Sequence, residues 1–156
     1  MLYGIHSIKR DDNIAVAYVR RPPDIPGVAY LTFGSLADAG VDVDLILQTA
    51  SLGYGSDFIF TIHAEDTEKA RRVLEAQFAG HAETQIEIDP TAVKLSVSGE
   101  GMPGKPGVAA KVFKCLWDAD VRILNTSTSE IKICILVPER DADRAYQALL
   151  DGFEII

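Results

Sequence analysis

Along this chain, hydrophobic and polar positions switch between two periods, and the order of the switches is the same in both halves. Residues 13–19 (NIAVAYV) are rich in β-branched and aromatic positions and predict a strand. After the turn RPPDIPG, Val28, Leu31, Leu36 and Ala39 recur near helical spacing, and Gly40 is placed to end that helix. VDVDLILQ (41–48) alternates as a strand, with Val41, Val43 and Leu45 on one side. A polar turn, SLGYGS, leads to a second strand, DFIFTIH (57–63). EDTEKARRVLEAQF (65–78) then reads as a helix with acids in its first turn and bases later, the order its dipole favours. TQIEI (84–88) closes the first half as a strand.

The second half repeats this order. A strand is predicted over 93–99, a helix over 107–118, strands over 121–126 and 130–137, and a helix over 139–151, followed by the tail FEII. The correspondence extends to residue identity. PGVAYLTFGSLADAGV (26–41) and PGVAAKVFKCLWDADV (106–121) stand 80 residues apart and share nine of sixteen positions. Two copies of one domain account for this. Each copy runs β-α-β-β-α-β, the ferredoxin-like unit, so the expected fold is α+β with two such domains in tandem. Ile131, Ile133, Ile135 and Val137 alternate with Lys132, Cys134 and Leu136, so the helix-free face of that sheet is partly apolar and calls for a cover. The opening LYGIHSI (2–8) is also strand-like, is surplus to the first copy, and must pair somewhere.

Composition narrows the functional classes. With 156 residues and 47% hydrophobic positions the chain can build a core, but a formal charge of −8 disfavours nucleic acid and anionic membrane surfaces as partners. No run of about 20 apolar residues is present to span a membrane. The first residues lack a secretion-signal core, which together with two unpaired cysteines points to the cytoplasm. His6, His63 and His81 are scattered without metal-ligand spacing, so no metal is expected. Cys115 reads as a half-buried core thiol, and no Ser–His nucleophile pattern occurs.

One stretch imitates a nucleotide site. GEGMPGKPGVA (99–109) reads G-x-x-x-x-G-K-P between a strand and a helix, one residue from a phosphate loop. Pro106 stands where a hydroxyl would hold Mg²⁺, and the strand–strand steps in both halves are wrong for a parallel nucleotide-binding sheet. What remains is a Pro-Gly turn into a helix, whose first N–H groups, at 28–30 and 108–110, either simply start the helix or form a small anion site. Asp24, Asp42, Asp44 and Asp57 are the acids near the first of these turns. If Asp24 and Asp44 approach one spot, a zwitterion has somewhere to place both its charges. Gln48, four residues beyond Asp44 and so on its face of a regular strand, adds a neutral donor and acceptor. Solvated surface acids are the alternative.

DIPGVAYLTFGSLADAGVDVDLILQ, GEGMPGKPGVAAKVFKCLWDADVRI and STSEIKICILV together resemble the paired ACT domains at the regulatory end of aspartate kinases. The resemblance covers nearly the whole chain, and it implies a first ACT domain at 12–88 and a second at 89–156, with 1–11 adding a strand to the second sheet. It also implies feedback control: an amino-acid effector, threonine and/or lysine, held between ACT domains of a homodimer and governing a kinase catalytic domain or subunit. The chain itself would then be non-catalytic, without a cofactor, and either an excised regulatory region or a separate small subunit. By position, the effector residues are Asp24, Gly27, Val28, Ala29, Asp44, Gln48 and Ser51 in the first copy, and Ile123, Ser129 and Glu130 in the second. Arg122 and Leu124 depart from the family pattern, so the first copy is expected to hold the better site. The competing readings are a stand-alone ACT regulator of another amino-acid enzyme, a dimerisation module with a decayed ligand site, and a small ferredoxin-like enzyme.

Overall fold

The structure, a computed structural model, describes residues 3–51, 55–100, 102–104 and 106–155. The turn SLGYGS therefore lies largely outside the described residues, as do Gly101 and Lys105 of the phosphate-loop-like stretch. The chain divides into two units, Asn13–Pro90 and Met1–Asp12 joined by Thr91–Ile156.

The first unit contains β2 (Ile14–Arg20), α1 (Val28–Asp38), β3 (Val43–Ser51), β4 (Gly55–His63), α2 (Thr67–Gln77) and β5 (Gln85–Asp89). Its sheet order is β3-β4-β2-β5, with every neighbouring pair antiparallel. Alternate residues of the strands face the helices. Ala15, Ala17, Val19, Phe58, Phe60 and Ile62 meet Leu36 of α1 and Leu74 of α2 in one buried cluster. Phe33 closes it with edge-on contacts to Phe58 and Phe60, ring centroids 5.4 and 5.1 Å apart.

The second unit contains β6 (Ala92–Ser98), α3 (Val108–Asp118), β7 (Asn125–Thr128), β8 (Lys132–Pro138), α4 (Glu139–Gly152) and one strand from the chain's beginning, β1 (Ser7–Asp11). Its order is β1-β6-β8-β7. β1 pairs antiparallel with β6 from Ser7↔Ser98 to Asp11↔Lys94, taking the place that β5 occupies in the first sheet. Phe153–Ile155, the described residues of the tail, add no strand; Phe153 instead turns into the core with Leu95, Val97, Leu116, Ile135 and Leu149. On the helix-free faces, Val16 and Thr61 of one sheet and Ala92, Ser96, Cys134 and Leu136 of the other are buried as well.

β7 begins later than the hydrophobic pattern suggests. Val121–Ile123 is held as a connector rather than a ladder: the Val121 N–H donates to Leu116 O, and the Arg122 N–H donates to the Asp141 carboxylate at 3.0 Å, before the Leu124 N–H donates to Leu136 O of β8 at 2.8 Å. Asp141 is 6% exposed and also accepts from Arg144, which in turn donates to the carbonyls of Ala119 and Asp120. One buried carboxylate thus ties the end of α3, the connector and α4 together. The Arg122 N–H, and then Arg144, hold its pKa below the usual carboxylate range against the opposing effect of burial.

A candidate effector site at the helix starts

Both copies enter their first helix the same way. Gly27 and Gly107 have φ of 84° and 93°, a left-handed backbone that glycine adopts without a Cβ penalty. Their carbonyls accept the first helical bonds, from Leu31 and Lys111. No side chain caps either helix and neither first turn holds an acid, so the positive dipole ends are not offset by a side chain, although at α1 the Val28 N–H donates to Ile25 O at 3.3 Å.

At α3 these groups border a cavity of about 280 Å³. Gly107, Val108 and Ala109 form one side, and Thr128, Ser129 and Glu130, at the β7–β8 turn, form the other. Met102, Val108 and Ile133 are nearly buried and form an apolar floor. The register explains how the turn reaches the helix. Thr128 faces Ile133 across a five-residue separation, whereas Gln48 faces Phe58 across ten. The shorter hairpin sets its turn level with the helix start. Ile133 also occupies the place of Phe58, which in the first unit is filled by ring packing against Phe33.

Of the second-copy residues, Ser129 and Glu130 line this cavity, while Ile123 packs half-buried against the core outside it. Val108 and Ala109 lie within the 108–110 helix start read from the sequence as a possible anion site, whereas Met102, Gly107, Thr128 and Ile133 are not marked as site residues by the sequence. The 80-residue offset was the available signal, since it carries Gln48 onto Thr128 and Gly27–Ala29 onto Gly107–Ala109.

In the first copy, Gly27, Val28 and Ala29 stand at the start of α1, and Gln48 lies exposed on β3. The backbone of Ser51 ends β3 opposite Gly55, and its side chain lies outside the described residues. The expected meeting of Asp24 and Asp44 does not occur. β3 runs from the far end of the sheet, and Asp44 sits five residues before Thr49, the partner of Asp57. Asp57 in turn accepts the Arg21 N–H near the start of α1. At a strand rise of about 3.3 Å per residue, Asp44 is therefore about 16 Å from the helix-start end.

Gln48 does not share a face with Asp44 either. Val43 pairs with Ile62 and Ile46 with Phe60, so Asp44 and Leu45 together oppose the single residue Thr61, whose hydroxyl accepts the Leu45 N–H at 3.1 Å. This bulge resets the alternation and turns Ile46 and Gln48 to the helix side. Asp42 is near His63, 3.7 Å away, at that same far end. Asp24 instead lines a separate open cleft of about 450 Å³ with Arg21, Pro22, His81 and Glu83. This cleft is the larger of the two, but none of Gly27–Ala29 borders it, so the helix-start N–H groups are not in its wall.

Among the described residues no group of three or more His, Cys, Asp or Glu side chains is arranged to hold a metal ion, and no helix is long and apolar enough to cross a membrane. Burial pushes the Cys115 thiol up, away from thiolate chemistry.

Fold, duplication and helix-start geometry define a tandem ferredoxin-like α+β module. Residues 23–78 and 95–153 match the ACT domain family. An aspartate kinase of Pseudomonas fluorescens is 34% identical over 137 residues, which is 88% of this chain and 33% of that protein. Among solved structures, a chain of the aspartokinase alpha and beta subunits is 36% identical, with a TM-score of 0.84 over 95% of this chain and 97% of that one. The ligand-free regulatory subunit of aspartate kinase from Thermus thermophilus is 28% identical, with a TM-score of 0.89 over 97% and 99%. The chain belongs to the ACT-domain family, as a pair of the ACT domains that form the regulatory part of aspartate kinases. It spans about a third of the length of the curated relatives it matches.

Proposed function

We propose that this chain is the amino-acid-sensing part of an aspartate kinase. It binds a feedback effector, threonine and/or lysine, at a helix-start site between ACT domains, and so controls phosphorylation of aspartate by a kinase catalytic domain or subunit. The observation that carries the reading is the cavity at the start of α3. At about 280 Å³ it lies just below the roughly 300–1,000 Å³ of drug-sized sites and suits a ligand as small as an amino acid. The uncapped N–H groups of Val108 and Ala109 offer a place for a carboxylate, Glu130 a counter-charge for an ammonium, and Met102 and Ile133 a surface for a short side chain.

Assembly through the ACT domains has its own support. β3 and β7 are edge strands, and the first helices expose Tyr30 and Leu31 on α1 and Phe113 and Trp117 on α3. Such edges and apolar side chains suit a second copy of the domain. A ligand controls the kinase only as far as it binds one arrangement of the assembly better than another.

Isothermal calorimetry on the full chain tests the binding. Threonine or lysine is expected to bind at millimolar concentration or below. Ile133→Phe, which restores at this position the ring found in the first copy, and Glu130→Gln are each expected to weaken binding at least about tenfold, or ~1.4 kcal/mol. No heat from either amino acid at millimolar concentration overturns the effector assignment.

A further inference from the structure

The residues ahead of β1 are built into the second unit more deeply than strand pairing requires. Gly4 and Ile5 are buried, Ile5 completely. Gly4 lies so close over Gly99 that a Cβ on Gly99 would stand 2.1 Å from the Gly4 carbonyl oxygen. Tyr3 meets Phe153 edge-on at 5.9 Å, and the Lys111 ammonium lies 5.2 Å from the centre of each ring. The His6 N–H donates to Ser98 O at 2.9 Å.

Two of these contacts, at Gly99 and at Lys111, lead on to residues that line the α3 cavity. Gly99 donates its N–H to Ile131 O in the β7–β8 turn at 2.9 Å, and its own carbonyl accepts the Met102 N–H at 3.2 Å. Met102 is the cavity's floor, and Thr128–Glu130 directly precede Ile131. Lys111, held between the two rings, donates its N–H to Gly107 O, the first bond of the helix whose start forms the opposite side. Two separate routes therefore join residues 3–6 to the cavity: one through backbone, Gly4–Gly99–Met102, and one through the first turn of α3. The backbone route has no slack, because two glycines are in contact there and no side chain lies between them to absorb a shift.

We propose that residues 3–6 and the cavity at the start of α3 form one two-state element, so that a ligand filling the cavity locks this segment onto the sheet and release of the segment loosens the cavity. The proposal rests on the effector assignment above and adds the segment to which occupancy of the cavity is coupled. Linkage makes the effect reciprocal: the ligand stabilises docking by as much as docking strengthens the ligand.

Amide hydrogen exchange on the full chain tests the coupling in two arms. With threonine or lysine at about 100 times its measured Kd, the His6 amide is expected to exchange up to about 100-fold more slowly, the limit for a ligand that binds only the docked state. His6 touches no residue of the cavity wall, so an unchanged His6 amide in a chain that demonstrably binds overturns the coupling and leaves the effector assignment standing. The second arm needs no ligand. In Tyr3→Ala, the amides of His6, Gly99 and Met102 are expected to speed up together, about tenfold or more, while that of Val41 in the first unit stays as it was. Faster exchange at His6 with Met102 unmoved overturns the proposal. Gly99→Ala, which forces the backbones apart, is expected to weaken the ligand at least tenfold. Should that variant not fold, Tyr3→Ala decides alone. If neither amino acid binds, the effector assignment falls together with the ligand half of this proposal, and the Tyr3→Ala arm still decides whether segment and cavity move as one.

Discussion

Phe58→Ala is expected to lower stability by about 3–5 kcal/mol, near the top of the range for a single core truncation. Phe58 is 1% exposed, and Phe33 touches both it and Phe60 edge-on, so removing one ring leaves a void that its neighbours fill only by breaking those contacts. At roughly 2–4 °C per kcal/mol for a chain of this length, the thermal midpoint is expected to fall by about 6–20 °C, which a denaturation scan measures directly. Ile133→Ala at the matching place in the second unit is expected to cost less, toward the low end of the roughly 2–5 kcal/mol range, because Ile133 already borders a cavity. Equal losses at the two positions would contradict the account of why the cavity forms beside α3.

The other large effect is centred on Asp141. Asp141→Ala leaves the part-buried Arg122 N–H without its acceptor and removes the carboxylate from Arg144, a loss of about 1–3 kcal/mol. Asp141→Asn retains an oxygen for the Arg122 N–H and is expected to cost about half as much. The pH dependence has a definite sign. Asp141 has a folded-state pKa below the usual value, so its contribution is fully present above the unfolded pKa of about 3.9 and is lost as pH falls through the folded one. Urea unfolding between pH 7 and pH 3 should show stability declining below about pH 4, with a smaller decline in Asp141→Asn. An unchanged acid limb in the variant would assign that decline to other carboxylates. The exposed pairs Lys114–Asp118 and Arg71–Glu68 compete poorly for that role, because solvent screens them and each holds two flexible side chains.

Much of this architecture is legible in the sequence because periodicity and duplication report it twice. The shared Pro-Gly-Val-Ala and the Leu36/Leu116 pair place both first helices, and the observed Val28–Asp38 and Val108–Asp118 keep the 80-residue offset to the residue. The site was less legible, for three physical reasons. The hairpins differ by five residues, a difference that shows only when strand partners rather than sequence neighbours are aligned. The bulge at Asp44 and Leu45 is invisible in VDVDLILQ, whose alternation looks unbroken, yet it reverses the face of everything after it. Finally, which helix start has room beside it depends on the volumes of Phe58 and Ile133 and on the place of Met102, three residues that are not notable on chemical grounds. Polar residues drew attention to the first copy, while packing opened space in the second.

The strand borrowed from the chain's beginning has a kinetic consequence. β1 cannot pair until β6 exists, and the whole of the first unit, Asn13–Pro90, lies between them. Within that unit, β2 and β5 are neighbours, with Val16 beside Asp89, so once it has folded its two ends emerge close together. Folding of the insert therefore shortens an unstructured loop of roughly 80 residues about tenfold, which on a logarithmic closure law lowers the entropic barrier to β1–β6 pairing by about 2 kcal/mol. The expected order during refolding is insert first and β1 last, and pulsed hydrogen exchange at Val41 and His6 reads it. A slow or faulty first domain, as in Phe58→Ala, is then also a delay in closing the second, although the substitution lies in the first domain's own core.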